Sequence, residues 1–592
     1  MVGGWSGNMG LTNVGVALRR CRTALLGVAF FSCIINLLGL TGSIYMLQVY
    51  DRVLISGSIP TLVTLTVAMV GLYFFYGLLD FVRLRILVGI ASRFDRSLHK
   101  PLFAINVALP LRYGQKEGLM QPLSELDQIR TFISNGGPTA FFDMPWLPLY
   151  LYIIYILHPY LGLLATIGGA VSVALTLLME VLARAPQRRA RESMINRQMQ
   201  ASAARRNAEV VRAMGLTDRF GDLWSEQSDR FLKDQRSIAD VVGTIGVLSR
   251  TWRIMLQSLM LGLGAYLVIA GEATSGIIIA SSIMLARALA PIDVALTKWR
   301  EFIMARHSYS RLKELDGRAV KRELTALPRP TRNISVEELA VAPPGLRQPI
   351  IQRITFSLNA GSALGIIGPS ASGKSTLLRA LVGAWLPLRG KVRFDDAAID
   401  QWDEAALGRD IGYLPQDIEL FDGTVAQNIC RFDPDAQPAA ILAAADAAGI
   451  RALILRLPEG FQTELGDGGA VLSAGQRQLV GLARALYGDP FLVVLDEPNS
   501  NLDAEGDAAL ASAIKKVRDR GGIAVVVAHR PSAIVNIDLL LYMAGGTMQA
   551  FGPRDEVLAH LAKPRRPFEP DGPEPRGKTV VPLHERRQER PW

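Results

Sequence analysis

The residues from Gly368 to Thr376 have the types and the spacing of a phosphate-binding loop. They read Gly-Pro-Ser-Ala-Ser-Gly-Lys-Ser-Thr and fit the pattern G-x-x-x-x-G-K-[ST]. The apolar run 363–367 predicts a buried strand before the loop, and the run 376–381 predicts a helix after it. Such a loop points backbone N–H groups at phosphate oxygens, and the helix start adds positive potential. We therefore expect a bound nucleoside triphosphate, with Lys374 at its outer phosphates and the Ser375 hydroxyl on a magnesium ion. The expected contacts are Gly368, Pro369, Ser370, Ala371, Ser372, Gly373, Lys374, Ser375 and Thr376.

Two adjacent carboxylates follow another apolar strand. The run 491–495 is free of polar residues and ends in Asp496 and Glu497. A carboxylate at the carboxyl end of a strand beside a phosphate loop can hold magnesium, and a second one can orient and polarise an attacking water. We assign Asp496 to the metal and Glu497 to the general base. The alternative is an acidic turn that only ends the strand, and it does not account for the intact phosphate loop.

Two further side chains are candidates for the same site. The apolar run 523–528 ends at His529, where we expect a contact to the γ-phosphate rather than a purely structural histidine. Gln416 follows the run 411–415, and its amide could touch both the magnesium ion and the attacking water.

A second helix start with the features of an anion site lies farther along the chain. Ser473 is a natural N-cap residue, and leucines then recur at helical spacing. A capped helix start that contains glycine can bind phosphate. Ser473, Gly475 and Gln476 are therefore expected to contact nucleotide too, so that one domain carries two phosphate-binding surfaces.

The first half of the chain has the composition of a membrane domain. Of the 592 residues 49% are hydrophobic, and the long charge-free runs lie in this half. Crossing a bilayer takes about 20 apolar residues. The first run is too long for a cleaved signal peptide, and a second span follows it directly. The six predicted spans lie within 23–50, 53–79, 138–157, 159–179, 254–271 and 276–296.

Loop charges predict the orientation. The segments 80–137 and 181–240 carry 20 Lys and Arg, whereas the loops on the other side carry only Arg52. We therefore expect a multi-pass membrane protein with its nucleotide-binding domain in the cytoplasm. These flanking arginines explain the net charge of +10, so no nucleic-acid partner is expected. The three cysteines have no metal-ligand spacing and indicate no disulfide framework.

The motifs stand in the order of the ATP-binding cassette (ABC) transporters, and the chain resembles that family over nearly its whole length. The elements that carry the resemblance are the phosphate loop, Gln416, the signature Leu472–Gln476, the pair Asp496 and Glu497, and His529. The signature has Ala474 where glycine is common. A closer resemblance is to the PrtD-like ATPase/permeases of type I protein secretion. It is carried by Asp143–Trp146, Tyr413–Phe421 and Asp496–Asp503.

This resemblance implies the fold and its domains. We expect an α-helical six-span transmembrane domain of the type I ABC exporter architecture, followed by an α/β P-loop nucleotide-binding domain. The expected segments are a cytoplasmic N-terminal segment (1–22), the six-helix domain with long cytoplasmic helical loops (23–315), a linker (316–332), the ATP-binding domain (333–562) and a disordered Pro/Arg-rich tail (563–592).

The resemblance also implies a function. It implies an ATP hydrolase that uses ATP and Mg²⁺ to export unfolded polypeptides with a C-terminal signal across the inner membrane. ATP would bind in a homodimer, between the phosphate loop of one subunit and the signature of the other. The implied partners are a periplasmic membrane-fusion adaptor, a TolC-like outer-membrane channel, the secreted protein and the lipid bilayer. An exporter of lipids or hydrophobic small molecules is the alternative, because it shares every catalytic motif. A nucleotide-gated channel that does not pump would need no general base at Glu497.

Four further features predict more specific properties of the protein. Arg287, in the sixth span, either lines a translocation path or reaches the cytoplasmic interface. Asp143 is expected to cap or pair at the Pro-bent start of the third span. The run 209–216 places apolar residues on one helix face, which favours docking on the ATP-binding domain. No aromatic residue lies between 333 and 354 to stack on adenine, as many members of the family do, so nucleotide selectivity is expected to be loose.

Overall fold

The computed structural model describes residues 13–114, 121–318, 327–528 and 536–562. The chain forms two compact units that divide between Arg322 and Glu323. The predicted tail 563–592 lies outside the described residues.

The first unit is helical throughout its described part. Its α-helices are α1 (Asn13–Arg20), α2 (Arg22–Leu38), α3 (Thr41–Gln48), α4 (Leu54–Ser56), α5 (Ile59–Tyr113), α6 (Pro122–Ser134), α7 (Thr139–Asp143), α8 (Leu147–Leu157), α9 (Pro159–Arg206), α10 (Ala208–Ala213), α11 (Thr217–Ile269) and α12 (Ser275–Arg318). A π-helical turn, Val49–Val53, follows α3, and a 3₁₀ turn, Met144–Trp146, precedes α8.

Six helical stretches in the described ranges are long and apolar enough to cross a membrane, as the sequence predicted. They are Arg22–Ser56, Ile59–Tyr113, Thr139–Leu157, Pro159–Arg206, Thr217–Ile269 and Ser275–Asp316. The third and fourth spans meet at a tight turn, where His158 is extended and Pro159 begins the next helix. Proline is favoured there because the first helical N–H has no intrahelical acceptor.

Several of these helices are much longer than a bilayer is thick. Helices α5, α9 and α11 have 55, 48 and 53 residues, which at 1.5 Å per residue is roughly 70–80 Å. The polar segments that the sequence predicted as helical loops are therefore continuous with the spans. The run 209–216 overlaps α10, whose Val210 is exposed, as is the nearby Met214. Its docking on the ATP-binding domain stays a prediction.

A buried polar network joins the first three spans. Arg83 donates to both carboxylate oxygens of Asp143 at 3.0 Å and to Asp80 Oδ1 at 2.7 Å. Asn36 Nδ2 donates to Asp143 Oδ1 at 2.8 Å, and the Tyr150 hydroxyl donates to the Asn36 carbonyl at 2.6 Å. Asp143 thus pairs with an arginine at the start of the third span, which is one of the two roles expected for it.

Replacing Asp143 with Asn should destabilise this bundle. The amide removes one of the two countercharges of a buried arginine. Loss of the sole partner of a buried charge costs about 3–5 kcal/mol, and a smaller loss is expected here because Asp80 remains. Asp80→Asn is the matched control, because the Asp80 side chain is 48% exposed and that of Asp143 only 19%. Thermal unfolding of the purified variants in detergent measures the difference. Equal loss of stability in both variants would show that Asp143 contributes no more to the network than the exposed Asp80 does.

The second unit is an α/β domain with two sheets. Its strands are β1 (Asn333–Val341), β2 (Ile351–Asn359), β3 (Ala363–Ile367), β4 (Arg389–Phe394), β5 (Ala397–Ala398), β6 (Ile411–Leu414), β7 (Leu492–Asp496), β8 (Ile523–Val527), β9 (Leu539–Ala544) and β10 (Thr547–Pro553). Its helices are α13 (Lys374–Leu381), α14 (Glu404–Arg409), α15 (Val425–Ile429), α16 (Pro438–Ala447), α17 (Arg451–Ile454), α18 (Ala474–Leu486), α19 (Ala504–Asp519) and α20 (Arg554–Ala562).

The larger sheet has the order β10-β9-β3-β8-β7-β6, and the smaller one has the order β2-β1-β4-β5. Strands β9, β3, β8, β7 and β6 run parallel to one another, and β10 is antiparallel to β9. Every residue of β7 and β8 is buried, because apolar side chains pack on both faces of the sheet. The carboxyl ends of these parallel strands lie along one edge of the sheet, where α/β proteins bind ligands.

Candidate nucleotide-binding site

The phosphate loop links β3 to α13 along a path that glycine permits. Gly368 and Gly373 have φ of +153° and +95°. A Cβ on Gly368 would lie 2.1 Å from the Met543 carbonyl oxygen, and one on Gly373 would lie 2.3 Å from Ile351 Cγ2. Larger residues at either position would therefore push the loop away from the neighbouring strands. Ala371, also within the loop, has a left-handed φ of +62°.

Lys374 lies across the mouth of this loop. Its side chain is buried, and Nζ donates to the carbonyl oxygens of Gly368 and Pro369 at 2.9 Å each. Burial lowers the pKa of the Lys374 ammonium group, and the carboxylates of Glu497 and Asp496 oppose that shift. The ammonium group is therefore held where the outer phosphates of a nucleotide would lie, close to both acidic residues.

Asp496 ends β7 as a buried carboxylate that forms no ion pair with another described residue. It is 2% exposed, and neither side-chain oxygen makes a hydrogen bond of ordinary geometry within the described part of the chain. Burial raises the pKa of the Asp496 carboxyl group and Glu497 raises it further, whereas the Ser375 hydroxyl, Arg379 and Lys374 act in the opposite direction. A buried carboxylate of this kind needs a cation to favour its charged form.

These residues fit a magnesium ion. Magnesium prefers oxygen ligands, and it usually binds through one or two carboxylates, water and substrate phosphates. Asp496 and the nearby Ser375 hydroxyl offer such oxygens beside the phosphate loop. Among the residues that the structure describes, no group of three or more His, Cys, Asp and Glu could hold a metal. A metal here would therefore depend on the nucleotide for part of its coordination.

Glu497 occupies a strained position directly after β7. Its φ of +50° is left-handed, which costs a non-glycine residue on the order of 1–3 kcal/mol. Such a backbone persists only where its surroundings hold it. The side chain is half-buried, and it lies near enough to Lys374 and Asp496 to raise the pKa of both groups.

Gln478 holds this strained turn, and no sequence motif indicates this role. The residue is 1% exposed on α18. Its Nε2 donates to the carbonyl oxygens of Pro498 and Glu497, and its Oε1 accepts from the Asn501 N–H at 3.1 Å. Its position two residues after the signature gives a glutamine in an amphipathic helix, which is commonly a surface residue. One side chain therefore fixes both ends of the 497–501 turn to the helix that begins with the signature.

Gln478→Met should lower kcat for ATP by about tenfold or more, because loss of these hydrogen bonds lets Glu497 shift from its working position. The KM for ATP should change little, since Gln478 does not touch the phosphate loop. Gln549→Met is the control, as Gln549 is exposed and bonds only near its own turn. A fall in nucleotide affinity with unchanged kcat would contradict the positioning role.

Two further predicted residues follow strands of the larger sheet. Gln416 is exposed and follows β6, the strand next to β7. His529 directly follows the last described residue after β8, and it lies outside the described residues. The phosphate loop, Asp496, Glu497 and Gln416 therefore share one edge of the sheet.

The predicted signature residues are at the start of α18. Ser473 Oγ accepts from the Gln476 N–H, and Gln476 Oε1 accepts from the Ser473 N–H, which forms a capping box. A Cβ on Gly475 would lie 2.8 Å from the Asn501 carbonyl oxygen. In the described ranges no hydrogen bond joins these three residues to the phosphate loop of the same chain.

Two protein-family profiles match the chain. One, described as "ABC transporter", matches residues 351–500. The other, described as "ABC transporter transmembrane region", matches residues 25–289. The two matches fall in the two compact units.

Curated relatives match over almost the whole chain. The "Type I secretion system ATP-binding protein PrsD" of Rhizobium meliloti is 51% identical over 93% of this chain and 95% of its own length. The "Leukotoxin translocation ATP-binding protein LktB" of Mannheimia haemolytica is 27% identical over 92% of this chain and 77% of its own length. The "Cyclolysin secretion/processing ATP-binding protein CyaB" of Bordetella pertussis has the same identity and coverage.

A solved structure has the same fold. It is a bacterial Atm1-family ABC exporter with ATP bound, with a TM-score of 0.80 and 21% identity. The match covers 92% of this chain and 97% of the exporter. The predicted architecture, six apolar spans followed by an α/β P-loop domain, is confirmed.

Proposed function

We propose that this chain, which belongs to the ABC transporters and among them to the type I secretion ATP-binding proteins, exports unfolded polypeptides across the bacterial inner membrane. Membership makes it a multi-pass membrane protein that binds and hydrolyses ATP. One observation carries the proposal: a single chain combines six apolar spans with a phosphate loop. Beside that loop lie the buried carboxylate of Asp496 and the half-buried carboxylate of Glu497. The names of three relatives, which refer to secretion or to toxin translocation, support a polypeptide as the cargo.

The nucleotide would be held by the phosphate loop and Lys374. The loop supplies backbone N–H groups, and the ammonium group of Lys374 would exchange its carbonyl partners for phosphate oxygens. Ser375 and Asp496 would hold magnesium, with Gln416 as a further ligand. When bound, the ion would neutralise charge that develops on the transferred phosphoryl group.

Glu497 is our candidate for the general base. It would accept a proton from, or polarise, the water that attacks the γ-phosphate. Gln416 would orient that water, and His529 would contact the γ-phosphate. The strained turn at Glu497 and its support by Gln478 are the structural reasons for assigning the base there.

We further propose a homodimer with two composite sites. Ser473, Gly475 and Gln476 would contact the nucleotide on the phosphate loop of the partner subunit. The lack of a hydrogen bond between them and the phosphate loop within the described part of one chain supports this arrangement. ATP must bind the closed dimer more tightly than the open one for binding to drive any movement.

The location and partners follow from the same family. The arginine-rich segments 80–137 and 181–240 support a cytoplasmic ATP-binding domain, by the positive-inside rule. A periplasmic membrane-fusion adaptor and a TolC-like outer-membrane channel would complete the export path.

A secretion assay tests the proposal. Cells would express the chain with a candidate adaptor and channel, together with a passenger that carries a C-terminal signal. We expect the passenger in the medium with the wild-type chain and not with Glu497→Gln. Stimulation of ATP hydrolysis by lipids or hydrophobic small molecules, with no passenger exported, would instead favour the small-molecule exporter.

A further inference from the structure

Arg287 is a charged residue in the middle of the sixth span, and no carboxylate in the described ranges forms an ion pair with it. Its Nη1 donates to the Tyr76 hydroxyl at 3.4 Å, and its guanidinium carbon lies 5.4 Å from the centre of the Tyr76 ring. Tyr73 and Tyr150 also lie within electrostatic reach. The surroundings of this cation are thus aromatic and neutral.

Other arginines of the same helical unit are paired with acids. Arg83 bonds to Asp80 and Asp143, and Arg253 forms an ion pair with Asp293. Carboxylates thus neutralise both of these arginines. Arg287 differs in having tyrosines in place of carboxylates.

The guanidinium of Arg287 stays at the depth of the span. Its partner Tyr76 lies within the charge-free run 53–79, three residues before the end of that run, so the contact holds the guanidinium inside the apolar region. Gly42 on α3 leaves the room that Tyr73 occupies, because a Cβ there would lie 2.4 Å from the Tyr73 hydroxyl. Helices α3, α5 and α12 therefore meet close to Arg287.

An arginine at this depth has a cost and unused binding capacity. On insertion scales, placing an arginine at the centre of a membrane helix costs about 2.5–3.5 kcal/mol. Such residues usually bind a partner or line a substrate pathway. Arginine cannot lose its proton in a protein, and it has five N–H donors in a planar fork. One hydrogen bond and one aromatic face leave most of those donors for another group. The planar fork matches a carboxylate, which it can bind through two parallel hydrogen bonds.

We propose that Arg287, with Tyr73 and Tyr76 beside it, binds carboxylate groups of the polypeptide in transit and so favours acidic segments of the cargo. This inference rests on the proposed function, because it requires a polypeptide to pass through the membrane unit. It assigns a recognition residue to the path, and it does not involve the nucleotide site.

Reciprocal charge reversal tests the site. One passenger would be made in three versions, with a segment rich in Asp and Glu, in Asn and Gln, or in Lys. Export of each would be measured with the wild-type chain, Arg287→Gln and Arg287→Glu, per amount of chain in the membrane. Arg85→Gln is the matched control, because Arg85 also lies over an aromatic ring, 5.2 Å from the centre of Phe81, but is exposed.

The wild-type chain and the Arg85→Gln control should export the acidic passenger about tenfold faster than the neutral one, the scale of one charge-assisted hydrogen bond. Arg287→Gln should lose this preference, and Arg287→Glu should prefer the basic passenger. Should Arg287→Glu fail to reach the membrane, Arg287→Lys serves instead and should keep a preference for acid. If all the Arg287 variants show the same charge preference in export as the wild-type chain, the inference about Arg287 is wrong, and the proposed function is not affected. ATP hydrolysis without export of any passenger by the wild-type chain overturns the proposed function, and this site with it.

Discussion

Glu497→Gln should nearly abolish ATP hydrolysis while ATP stays bound. The amide has the size of the carboxylate but cannot accept a proton from water, and a general base contributes about 10²–10⁴-fold to a rate. The turn should survive, because Gln478 bonds to the backbone carbonyls of Glu497 and Pro498 and not to the Glu497 side chain. Removal of a negative charge near Lys374 should also favour a polyanionic nucleotide. Release of inorganic phosphate and retention of labelled ATP by the purified protein measure the two effects.

Glu505→Gln is the control for this variant. It makes the same chemical change at an exposed residue in the first turn of α19, close in sequence but after the turn. Its turnover should match the wild-type protein. ATP retained by Glu497→Gln should also trap the closed dimer, which cross-linking of the two subunits would detect. Normal turnover in Glu497→Gln would place the general base elsewhere.

The phosphate loop could be predicted from sequence because its determinants are local. A buried strand, two glycines and a helix start are consecutive, and the structure places Gly368 and Gly373 in backbone conformations that the pattern requires. The order of the parallel strands explains why residues far apart in sequence share a site. Strand β8 lies between β3 and β7, so the loop after β3 and the carboxylates after β7 end at the same edge.

Contacts between distant segments could not be predicted in the same way. Gln478 binds a turn about 20 residues away because α18 packs near the end of β7, and no spacing rule encodes that packing. The pairing of Arg83 with Asp143 joins residues 60 apart, and the sequence indicated only that Asp143 would have a cap or partner. The tyrosine surroundings of Arg287 likewise arise from packing of α12 against α5. Apolar periodicity identified each helix, but the pairing of helices decides which polar groups meet.

Lys374→Ala should weaken the binding of ATP itself by about 10- to 100-fold. Hydrogen bonds to charged groups contribute about 1.5–3 kcal/mol, and the Lys374 ammonium group would form such bonds to the outer phosphates. The change also leaves the Gly368 and Pro369 carbonyl oxygens without the partner that they have in the structure. Equilibrium binding of a fluorescent ATP analogue to the purified protein measures the loss.

Two further variants separate the causes of that loss. Lys374→Met keeps most of the buried stem but removes the charge, so binding that fails equally in Met and Ala variants assigns the effect to the ammonium group. Lys391→Ala removes an exposed lysine from β4 of the same domain and should bind ATP as the wild-type protein does. Undiminished binding in Lys374→Ala would mean that the loop carbonyls, and not a nucleotide, are the true partners of this lysine, and the phosphate cradle would then have to lie elsewhere.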